Sequence, residues 1–428
     1  MSHVVPFCAW HYHPGHIAIP RVVAPPYDII SPEAEIQFQK HDPYNVVRLE
    51  LGQAKPEDLE NSERYASAKR YLDEWVQKKI LVQEAKPAFY LYEMTFKHPF
   101  QERVFSRLAV FALIRLQPFE RKIVFPHEKT HDSPKVDRGK LLRATQANFS
   151  PVFTIYEDAS KILDEIRAAY DSQKRLFDFK DDQGIQHRLW IVDSEKYLRE
   201  LFGIFDRKRI FIADGHHRYS TALQYAHEMN NQFLGERDPA WNYVLSVLVR
   251  FNDPGLLILP IHRVILKSLQ IEKEEFLNGL KKHFVLHSVS RTVLERISEG
   301  GISEGFGLAF SQDECYSLEL KDKTMARQDM PQEKPALWYE LDMNLVFYLI
   351  LQPLFQIKES EQEWNVFYTP SLEEVFQKLT SREASCAFVI RPVTASVIKD
   401  MCESGELMPQ KSTYFYPKFP SGLLIYRH

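Results

Sequence analysis

The chain has 428 residues, of which 44% are hydrophobic and 26% charged, and its 54 Lys and Arg against 58 Asp and Glu give a formal charge of −4. At about 150 residues per domain, this length predicts two or three domains, and the composition excludes an intrinsically disordered chain. The near-neutral charge argues against a protein that coats nucleic acid, because such binding depends on basic patches that neutralise phosphates. The apolar stretches fall short of the roughly 18 residues that a membrane helix needs.

The N-terminal residues and the cysteines give the expected location. The N-terminus lacks the basic end and the apolar run of a secretory signal. Cys8, Cys315, Cys386 and Cys402 are too few and too scattered for a disulfide framework. We therefore expect a cytoplasmic protein with free thiols that acts on a small molecule and binds neither membrane nor nucleic acid. The sequence leaves the oligomeric state open.

The first 134 residues predict two helices, two long strands and a loop. Residues 31–32, Ser followed by Pro, are typical of a helix start. Residues 56–80 place apolar side chains at helical spacing, which predicts an amphipathic helix. Residues 88–96 and 104–116 are rich in β-branched and aromatic side chains and predict strands. Residues 118–134 begin and end with proline and predict a loop.

The next hundred residues continue this mixture of helices and strands. The predicted elements are, in order, a strand at 152–156, a helix at 160–170, strands near Leu176 and Leu189, a short helix near Tyr197, a strand at 209–213, a helix at 219–229 and a strand at 243–251. Residues 252–255, Asn-Asp-Pro-Gly, are a turn sequence. We place a domain boundary there, which gives domains of residues 1–255 and 256–428.

The C-terminal part predicts fewer and shorter elements. These are a helix near 272–283, strands near 306 and 316, a polar linker at 321–334, an apolar helix at 344–355, and strands at 387–390 and 423–426. Because strands and helices do not alternate in a strict β-α-β rhythm, we predict an α+β fold. It consists of an N-terminal domain with a mixed sheet and a smaller α+β C-terminal domain.

The segment around residues 210–222 carries the strongest chemical signal. A predicted strand runs into Asp214-Gly215-His216-His217-Arg218, and a helix follows. The backbone N–H groups and the dipole at a helix N-terminus favour an anion, and the planar guanidinium of an arginine suits phosphate. The sequence contains neither a G-x-G-x-x-G nor a G-x-x-x-x-G-K motif. We therefore predict a phosphate-binding element of another kind. Its binding residues also include Tyr219 and Thr221.

Two further segments carry polar residues that a ligand would need. The first is a charged stretch in and after the proline-bounded loop, and the second is a basic and aromatic stretch before the last strand. The predicted binding residues are His127, Arg138 and Arg143 in the first stretch and Lys411, Ser412 and Thr413 in the second, with Glu128 as a catalytic candidate. A solvated loop and ordinary aromatic packing would explain the same residues.

Two short motifs match known catalytic patterns but lack their structural context. Residues 127–131 read H-E-x-x-H, yet a zinc site of this type needs a helix, and prolines flank the motif. Residues 301–305 read G-x-S-x-G, yet a nucleophile elbow needs a strand before it and a helix after it. Here a helical stretch precedes the motif and a strand-like stretch follows it. We interpret residues 301–305 as a turn.

Five stretches together resemble a known family. Residues 22–32, 127–151, 212–222, 253–263 and 409–422 are similar to the uncharacterised bacterial and archaeal family called domain of unknown function 1015. The resemblance covers nearly the whole chain. Since the family has no settled function, it implies a common fold and no particular activity.

A second resemblance concerns one motif. The box at 214–218 is similar to the phosphate-binding box of the ParB and sulfiredoxin superfamily, which includes partition-protein nucleotide hydrolases, sulfiredoxin and kinases that phosphorylate free serine. In those proteins a Gly-x-x-Arg element follows a strand and opens a helix, as residues 215–218 should. In the serine kinases an acidic residue near the N-terminal strands acts as the base. Candidates for that role here are Asp28, Glu50 and Glu128.

These observations lead to one main hypothesis. It is a nucleotide-dependent phosphotransferase or phosphohydrolase that acts on a small hydroxyl-bearing metabolite, with a nucleoside di- or triphosphate and magnesium as cofactor. Arg218, the Gly215 backbone and Lys411 would hold the phosphates, while Asp214 or Glu128 would position the ion or accept a proton. The catalytic candidates are Asp214, Glu128, His216 and His217. No residue is assigned as a metal ligand in this hypothesis.

Two alternatives remain open at this point. The first is a non-catalytic binding module that a nucleotide regulates, which needs the phosphate element but no base. The second is a metal-dependent hydrolase, in which the polar residues of the two segments meet around one ion. Its ligands would be His127, Glu128, Asp214, His216 and His217.

Overall fold

A computed structural model of the chain describes residues 3–52, 62–128, 132–173, 175–206, 208–233, 238–268 and 271–428. The chain divides into two compact units. The first unit comprises residues 1–126, 130–256 and 417–428, and the second comprises residues 127–129 and 257–416. The C-terminal segment 417–428 therefore belongs with the N-terminal part of the chain. The division into domains at residues 255–256 stays a prediction.

The first unit is built around a large mixed sheet. Its described strands, numbered along the whole chain, are β1 Val4–Val5, β2 Trp10–Tyr12, β3 Leu81–Gln83, β4 Phe89–Lys97, β5 Val104–Arg115, β6 Val124–Phe125, β7 Ala147–Asn148, β8 Val152–Tyr156, β9 Phe177–Lys180, β10 Gln186–Val192, β11 Ile210–Asp214, β12 Tyr243–Arg250 and β21 Tyr426–Arg427. Nine of these described strands form one sheet in the order β6-β11-β8-β12-β5-β4-β10-β9, with β1 paired to β5. The β6–β11 and β8–β12 pairs are parallel and the others antiparallel.

The helices of the first unit lie between these strands in the chain. They are α1 Ile19–Val22, α2 Pro32–His41, α3 Val47–Glu50, α4 Ser62–Gln77, α5 Asp132–Thr145, α6 Ile162–Tyr170, α7 Glu195–Phe205 and α8 His216–Gln232, with 3₁₀ turns at Tyr27–Ile29, Phe119–Arg121 and Ala240–Asn242. The predicted start of α2 is confirmed, since the Ser31 hydroxyl accepts a hydrogen bond from the Ala34 N–H. The N-terminal part of the helix predicted over 56–80 lies outside the described residues.

The two faces of the large sheet are covered differently. On one face, buried side chains of α6, α7 and α8, such as Ile166 and Phe205, join Val110 of β5 in a single hydrophobic cluster. Neighbouring residues along a strand point to opposite faces, so Phe111 lies on the other face. There its ring meets that of Phe419, 6.3 Å away. The C-terminal segment thus packs on the face of the sheet opposite to the helices.

The second unit has a smaller, antiparallel sheet. Its strands are β13 Leu257–Leu259, β14 His262–Ile265, β15 Phe284–Val289, β16 Phe306–Ala309, β17 Cys315–Leu320, β18 Val366–Thr369, β19 Cys386–Val389 and β20 Tyr414–Tyr416. Six of them, in the order β15-β17-β16-β19-β14-β18, form the sheet, and β13 pairs with β20. Every pairing in the six-stranded sheet is antiparallel.

Helices cover this smaller sheet. They are α9 Lys273–Leu280, α10 Arg291–Ser298, α11 Lys323–Gln328, α12 Asp342–Val346, α13 Gln352–Phe355, α14 Gln362–Asn365, α15 Leu372–Thr380 and α16 Ala395–Ser404, with a π-helical turn at Phe347–Leu351 and 3₁₀ turns at Ala336–Glu340 and Glu359–Glu361. Leu294 of α10 and Phe376 of α15 pack with Val264 and Val389 of the sheet. Mixed helices and strands in both units confirm the predicted α+β fold. Among the described residues, none of the helices is both long enough and apolar enough to cross a membrane.

Three sequence-based assignments need correction. The range 118–134, predicted as a loop, contains β6 and the start of α5, and the charged residues after it lie in α5, because Pro134 falls in the first helical turn, where its missing N–H costs no hydrogen bond. Within the expected linker 321–334, the Asp322 carboxylate accepts the N–H groups of Thr324 and Met325 and starts α11. The strand predicted at 423–426 is shorter than expected, since only β21 forms there, and β21 pairs with β7.

Candidate functional site

The predicted order of strand, glycine turn and helix is confirmed in the first unit. β11 ends at Asp214, Gly215 has a left-handed backbone with φ of 88°, and α8 begins at His216. A side chain at position 215 would be strained by this φ, and its Cβ would lie 2.9 Å from the guanidinium carbon of Arg218. The glycine therefore lets Arg218 fold back over the start of its own helix.

Asp214 lies between two cations. Its carboxylate accepts hydrogen bonds from Arg218 Nη2 and Lys418 Nζ, each at 2.6 Å. Arg218 Nη1 also donates to the Pro151 carbonyl at the start of β8. Because all three charged side chains are at most 16% exposed, these bonds act in a poorly solvated environment. The arrangement holds the two cations in fixed positions at the N-terminal end of α8.

The electrostatics of Asp214 follow from these contacts. Burial alone would raise the pKa of the Asp214 carboxyl, but Lys418 and Arg218 outweigh burial and hold the pKa well below its ordinary value. In turn, although burial opposes it, the Asp214 charge raises the pKa of Arg218. Asp214 is therefore ionised at neutral pH and makes a poor proton acceptor.

A second arginine, Arg138, borders a small cavity together with Arg218. A cavity of about 50 Å³ is lined by Arg218, Arg138, Tyr27, Glu50 and Thr221, and we call it the arginine pocket. The Arg138 guanidinium lies 4.1 Å from the centroid of the Tyr27 ring and donates from Nη1 to Glu50 Oε2 at 2.9 Å. Burial raises the pKa of Tyr27 to about 12, so its hydroxyl stays protonated. Two planar guanidinium groups thus border one small space.

The neighbours of the arginine pocket support its charged residues. Glu50 accepts a hydrogen bond from the Ser150 hydroxyl, and Ser150 is 2.6 Å from the hydroxyl of Ser421 in the C-terminal segment. Arg138 also bonds to Asp137, which accepts a further bond from Arg64 at 3.2 Å. These bonds tie together segments that are far apart in the sequence.

Two predicted binding residues on α8 have different surroundings. Thr221 is 5% exposed and lines the arginine pocket, and its hydroxyl has no hydrogen-bond partner among the described residues. An unpaired buried hydroxyl is costly and is well suited to a ligand. Tyr219 instead exchanges two hydrogen bonds with the backbone of Gln117 and stacks on Phe119. Tyr219 therefore belongs to the core, and we remove it from the binding set.

Of the two predicted binding residues on α5, one lines the arginine pocket and the other does not. Arg138 lines the arginine pocket. Arg143 forms a two-bond pair with Glu228 of α8, at 2.7 Å and 3.0 Å, and its side chain is 45% exposed. Arg143 therefore links helices α5 and α8 at the protein surface and does not line the arginine pocket.

Of the remaining candidates, His216 and His217 begin α8 in the first unit, and those at 127–128 and 411–413 lie in the second unit. The His127 ring Nε2 lies 3.0 Å from the Thr413 hydroxyl, and Glu128 accepts from that hydroxyl at 3.3 Å and from the Ser412 N–H at 3.2 Å. Lys411 has a left-handed backbone, and its carbonyl accepts a bond from Arg263. This cluster is distinct from the residues that surround Asp214, which all belong to the first unit.

The H-E-x-x-H segment can be described only in part. His127 and Glu128 are outside any helix, and residues 129–131 lie outside the described part of the chain. Within the described ranges, no group of three or more His, Cys, Asp or Glu side chains has the arrangement to hold a metal ion. The five side chains of the metal-hydrolase alternative therefore do not form such a group there.

Two residues of the site were missed from the sequence, and a third was only one of several candidates. Lys418, and not the predicted Lys411, contacts Asp214. The signal available was a second lysine in the same basic and aromatic stretch. Tyr27 had no signal beyond its place in a proline-rich segment. Glu50 was one of three base candidates, and the structure places it on the same pocket as Arg218.

Comparison with known proteins identifies the family. The family model described as protein of unknown function DUF1015 matches residues 4–344, and the chain belongs to this family. No curated protein matches the sequence significantly.

Several solved structures resemble the chain at low sequence identity. One is a free serine kinase in complex with AMP, with 12% identity and a TM-score of 0.34 over 71% of this chain and 86% of that chain. Another is a conserved hypothetical protein from Pyrococcus furiosus, with 13% identity and a TM-score of 0.35 over 73% and 93% of the two chains. A third is SbnI with a C-terminal truncation from Staphylococcus aureus, with 10% identity and a TM-score of 0.35 over 72% and 85%.

Proposed function

We propose that the arginine pocket binds a phosphate group of a nucleotide and that the protein transfers phosphate to a hydroxyl of a small metabolite. One observation carries this proposal: two buried guanidinium groups, of Arg138 and Arg218, border one small cavity at the start of a helix. Guanidinium forks and helix N-termini both favour phosphate oxygens. In phosphoryl transfer, such positioning and electrostatic stabilisation supply most of the rate.

The size of the pocket limits what it can hold. Whole small-molecule sites usually measure about 300–1,000 Å³. The arginine pocket measures about 50 Å³ and therefore suits a single phosphate-sized group. The sugar and base of a nucleotide would lie outside it. The unpaired Thr221 hydroxyl would donate to a phosphate oxygen inside it.

We assign the proton acceptor to Glu50 and a positioning role to Asp214. Asp214 is held in its ionised form between Arg218 and Lys418, so its function is to orient those two cations. Glu50 lines the same pocket and already accepts a hydrogen bond from a hydroxyl, that of Ser150. A substrate hydroxyl at the same carboxylate would be oriented for loss of its proton. His216 and His217, predicted as catalytic candidates, follow Gly215 directly but are absent from the lining of the arginine pocket, and we assign no step to them.

Magnesium is not given a protein site in this proposal. The carboxylates of Asp214 and Glu50 are already paired with cations, and the described residues offer no group of three or more metal-binding side chains. The residues therefore do not fit a protein-held metal ion, and we derive no step from one.

Ligand-induced stabilisation of the full chain tests the binding step. We expect one of ATP, ADP, CTP, GTP or inorganic phosphate to raise the unfolding temperature, since a ligand at 100 times its dissociation constant adds about 2.7 kcal/mol. Arg218→Lys keeps the charge but loses the fork, and it should lose most of this shift. Arg143→Lys, an exposed arginine outside the pocket, should keep it. Equal ligand-induced shifts of the unfolding temperature in Arg218→Lys and Arg143→Lys would contradict the proposal. So would the absence of such a shift in the wild type.

Turnover separates the enzyme from its alternative. Glu50→Gln should keep the thermal shift but form no phosphorylated product when hydroxyl compounds are screened by phosphorus NMR. The ion pairs already made by Asp214 and Glu50 also favour a non-catalytic module, because neither carboxylate is unpaired. Nucleotide binding by wild type without any product across the screen would favour that module.

A further inference from the structure

The second unit contains a wider cavity, and none of the candidate site residues discussed above lines it. It measures about 470 Å³, which is within the range of sites for whole small molecules. Its wall is formed by the turn at residues 300–305, strand β17, helix α11, the Ala336–Glu340 turn and the start of α16. We call it the second-unit cavity.

An ion pair fixes the frame of this cavity. Arg391 donates from Nε and Nη2 to the carboxylate of Asp342, which is 5% exposed and also accepts the Arg391 N–H. The same guanidinium donates from Nη1 to the Ser303 carbonyl. Three segments of the wall are thus joined at one side chain. Gly305 completes the turn with φ of 80°, and a Cβ there would lie 2.6 Å from the Leu318 carbonyl oxygen.

The wall of the cavity combines a buried apolar part with a charged rim. Buried side chains that line it include Phe306, Leu318, Met330, Leu341 and Val393. The G-x-S-x-G turn thus contributes to a cavity wall and not to a nucleophile elbow. A ligand that fills this space must carry an apolar body, because burial of apolar area supplies the binding energy.

One cation on the wall differs from the others. Lys323 pairs with Glu340 at 3.2 Å, and Arg391 pairs with Asp342. Arg327 lies 5.0 Å from the centroid of the Tyr339 ring, its Nε is buried without a hydrogen-bond partner, and no carboxylate of the described residues pairs with it. Since a buried donor without an acceptor is costly, the Nε–H of Arg327 is suited to an acceptor that a ligand brings.

The charges on the rim select the type of anion. Glu304, Glu319 and Glu340 line the cavity and are exposed. Glu340 is neutralised by Lys323, but the carboxylates of Glu304 and Glu319 would repel a doubly charged phosphate more strongly than a singly charged carboxylate. A planar carboxylate also matches the fork of an arginine with two parallel hydrogen bonds.

We propose that the second-unit cavity binds an organic monocarboxylate with an apolar body, whose carboxylate pairs with Arg327 while its body packs against the apolar wall. This site is independent of the arginine pocket and does not rest on its proposed function.

Titration calorimetry on the full chain tests this site with octanoate, 3-phenylpropionate and indole-3-acetate as probes. We expect at least one of them to bind, and 1-octanol, of the same length as octanoate but uncharged, to bind at least tenfold more weakly than the best carboxylate. Octyl phosphate should also bind more weakly. Failure of all three carboxylates overturns the proposal, and so does equal or tighter binding of octanol or octyl phosphate.

Variants locate the binding within the second unit. Arg327→Gln should weaken the best carboxylate at least tenfold and leave octanol unchanged. Arg296→Gln, an exposed arginine of α10 outside the cavity, is the matched control and should bind like wild type. Val397→Trp should fill part of the cavity and weaken carboxylate and octanol alike. Unchanged carboxylate binding in Arg327→Gln, with an unfolding temperature equal to that of wild type, overturns the assignment.

Discussion

The two sites differ in size and in whether their candidate binding arginines are paired with a carboxylate. In the arginine pocket of the first unit, Arg218 and Arg138 are each held by a carboxylate around a space of only about 50 Å³. In the second-unit cavity of about 470 Å³, Arg327 has no carboxylate partner among the described residues, and part of the wall is apolar and buried. A small, rigid and pre-paired site can recognise the shape of one anion, whereas a wide site gains affinity from the area that it buries.

The largest expected effect comes from removal of the carboxylate that each site is built on. Asp214→Asn leaves Arg218 and Lys418 buried without a counter-charge, which should cost about 3–5 kcal/mol. Asp342→Asn leaves Arg391 without its carboxylate partner. Because Arg391 is 26% exposed and still bonded to Ser303, the cost should be only about 1.5–3 kcal/mol. Urea denaturation measures both free energies of unfolding.

Exposure provides the control for this pair of variants. Asp171 forms an ion pair with Arg167 at 2.6 Å but is 59% exposed. Asp171→Asn should therefore change the free energy of unfolding by no more than about 0.5 kcal/mol. If Asp342→Asn lowers the free energy of unfolding more than Asp214→Asn does, the comparison is reversed. The stability of the first unit would then not depend on its charge cluster.

The pH dependence of the second unit should produce an intermediate effect. Burial lowers the pKa of His262 to about 3, and its Nδ1 accepts the Ile390 N–H just before Arg391. In the unfolded chain this histidine takes up a proton below about pH 6.5. The unfolded state therefore binds more protons between pH 6.5 and 3. The contribution of neutral His262 to stability is complete above pH 6.5 and is lost progressively through this window.

The size of this pH effect can be measured directly. Between pH 7 and 5 the second unit should lose about 2 kcal/mol, and hydrogen exchange of peptides around residues 386–391 should report the loss. His262→Asn keeps a donor and an acceptor but does not titrate, so it should flatten this dependence. His287→Asn, which changes an exposed histidine of the same unit, should not. Equal slopes in both variants would exclude His262 as the cause.

Much of the fold was predictable because local patterns and tertiary packing agree. The β-branched and aromatic stretches at 88–96 and 104–116 form β4 and β5, and the Ser31 cap starts α2. The errors occur where a local signal has two meanings. Pro134 ends a loop in one interpretation and opens helix α5 in the other, and the proline alone does not distinguish them.

The site was only partly predictable for a different reason. The box at 214–218 is contiguous, so its turn geometry could be inferred from the strand and the glycine before it. Lys418 reaches Asp214 because Arg107 bonds to the Pro417 carbonyl at 2.6 Å and Phe419 packs on the sheet. That contact joins residues some two hundred positions apart, and no local pattern specifies such a pairing.

The smallest effect should come from the glycine that shapes the arginine pocket. Gly215→Ala forces a side chain into a left-handed backbone and should cost about 1–2 kcal/mol. Its Cβ would also displace the Arg218 guanidinium, so loss of any phosphate or nucleotide thermal shift should exceed what this destabilisation explains. Gly203→Ala, in the last turn of α7 with open space around it, should instead stabilise the chain by up to about 1 kcal/mol. If both substitutions stabilise the protein equally, position 215 does not require glycine. The Gly215 turn would then not be what orients Arg218 at the arginine pocket.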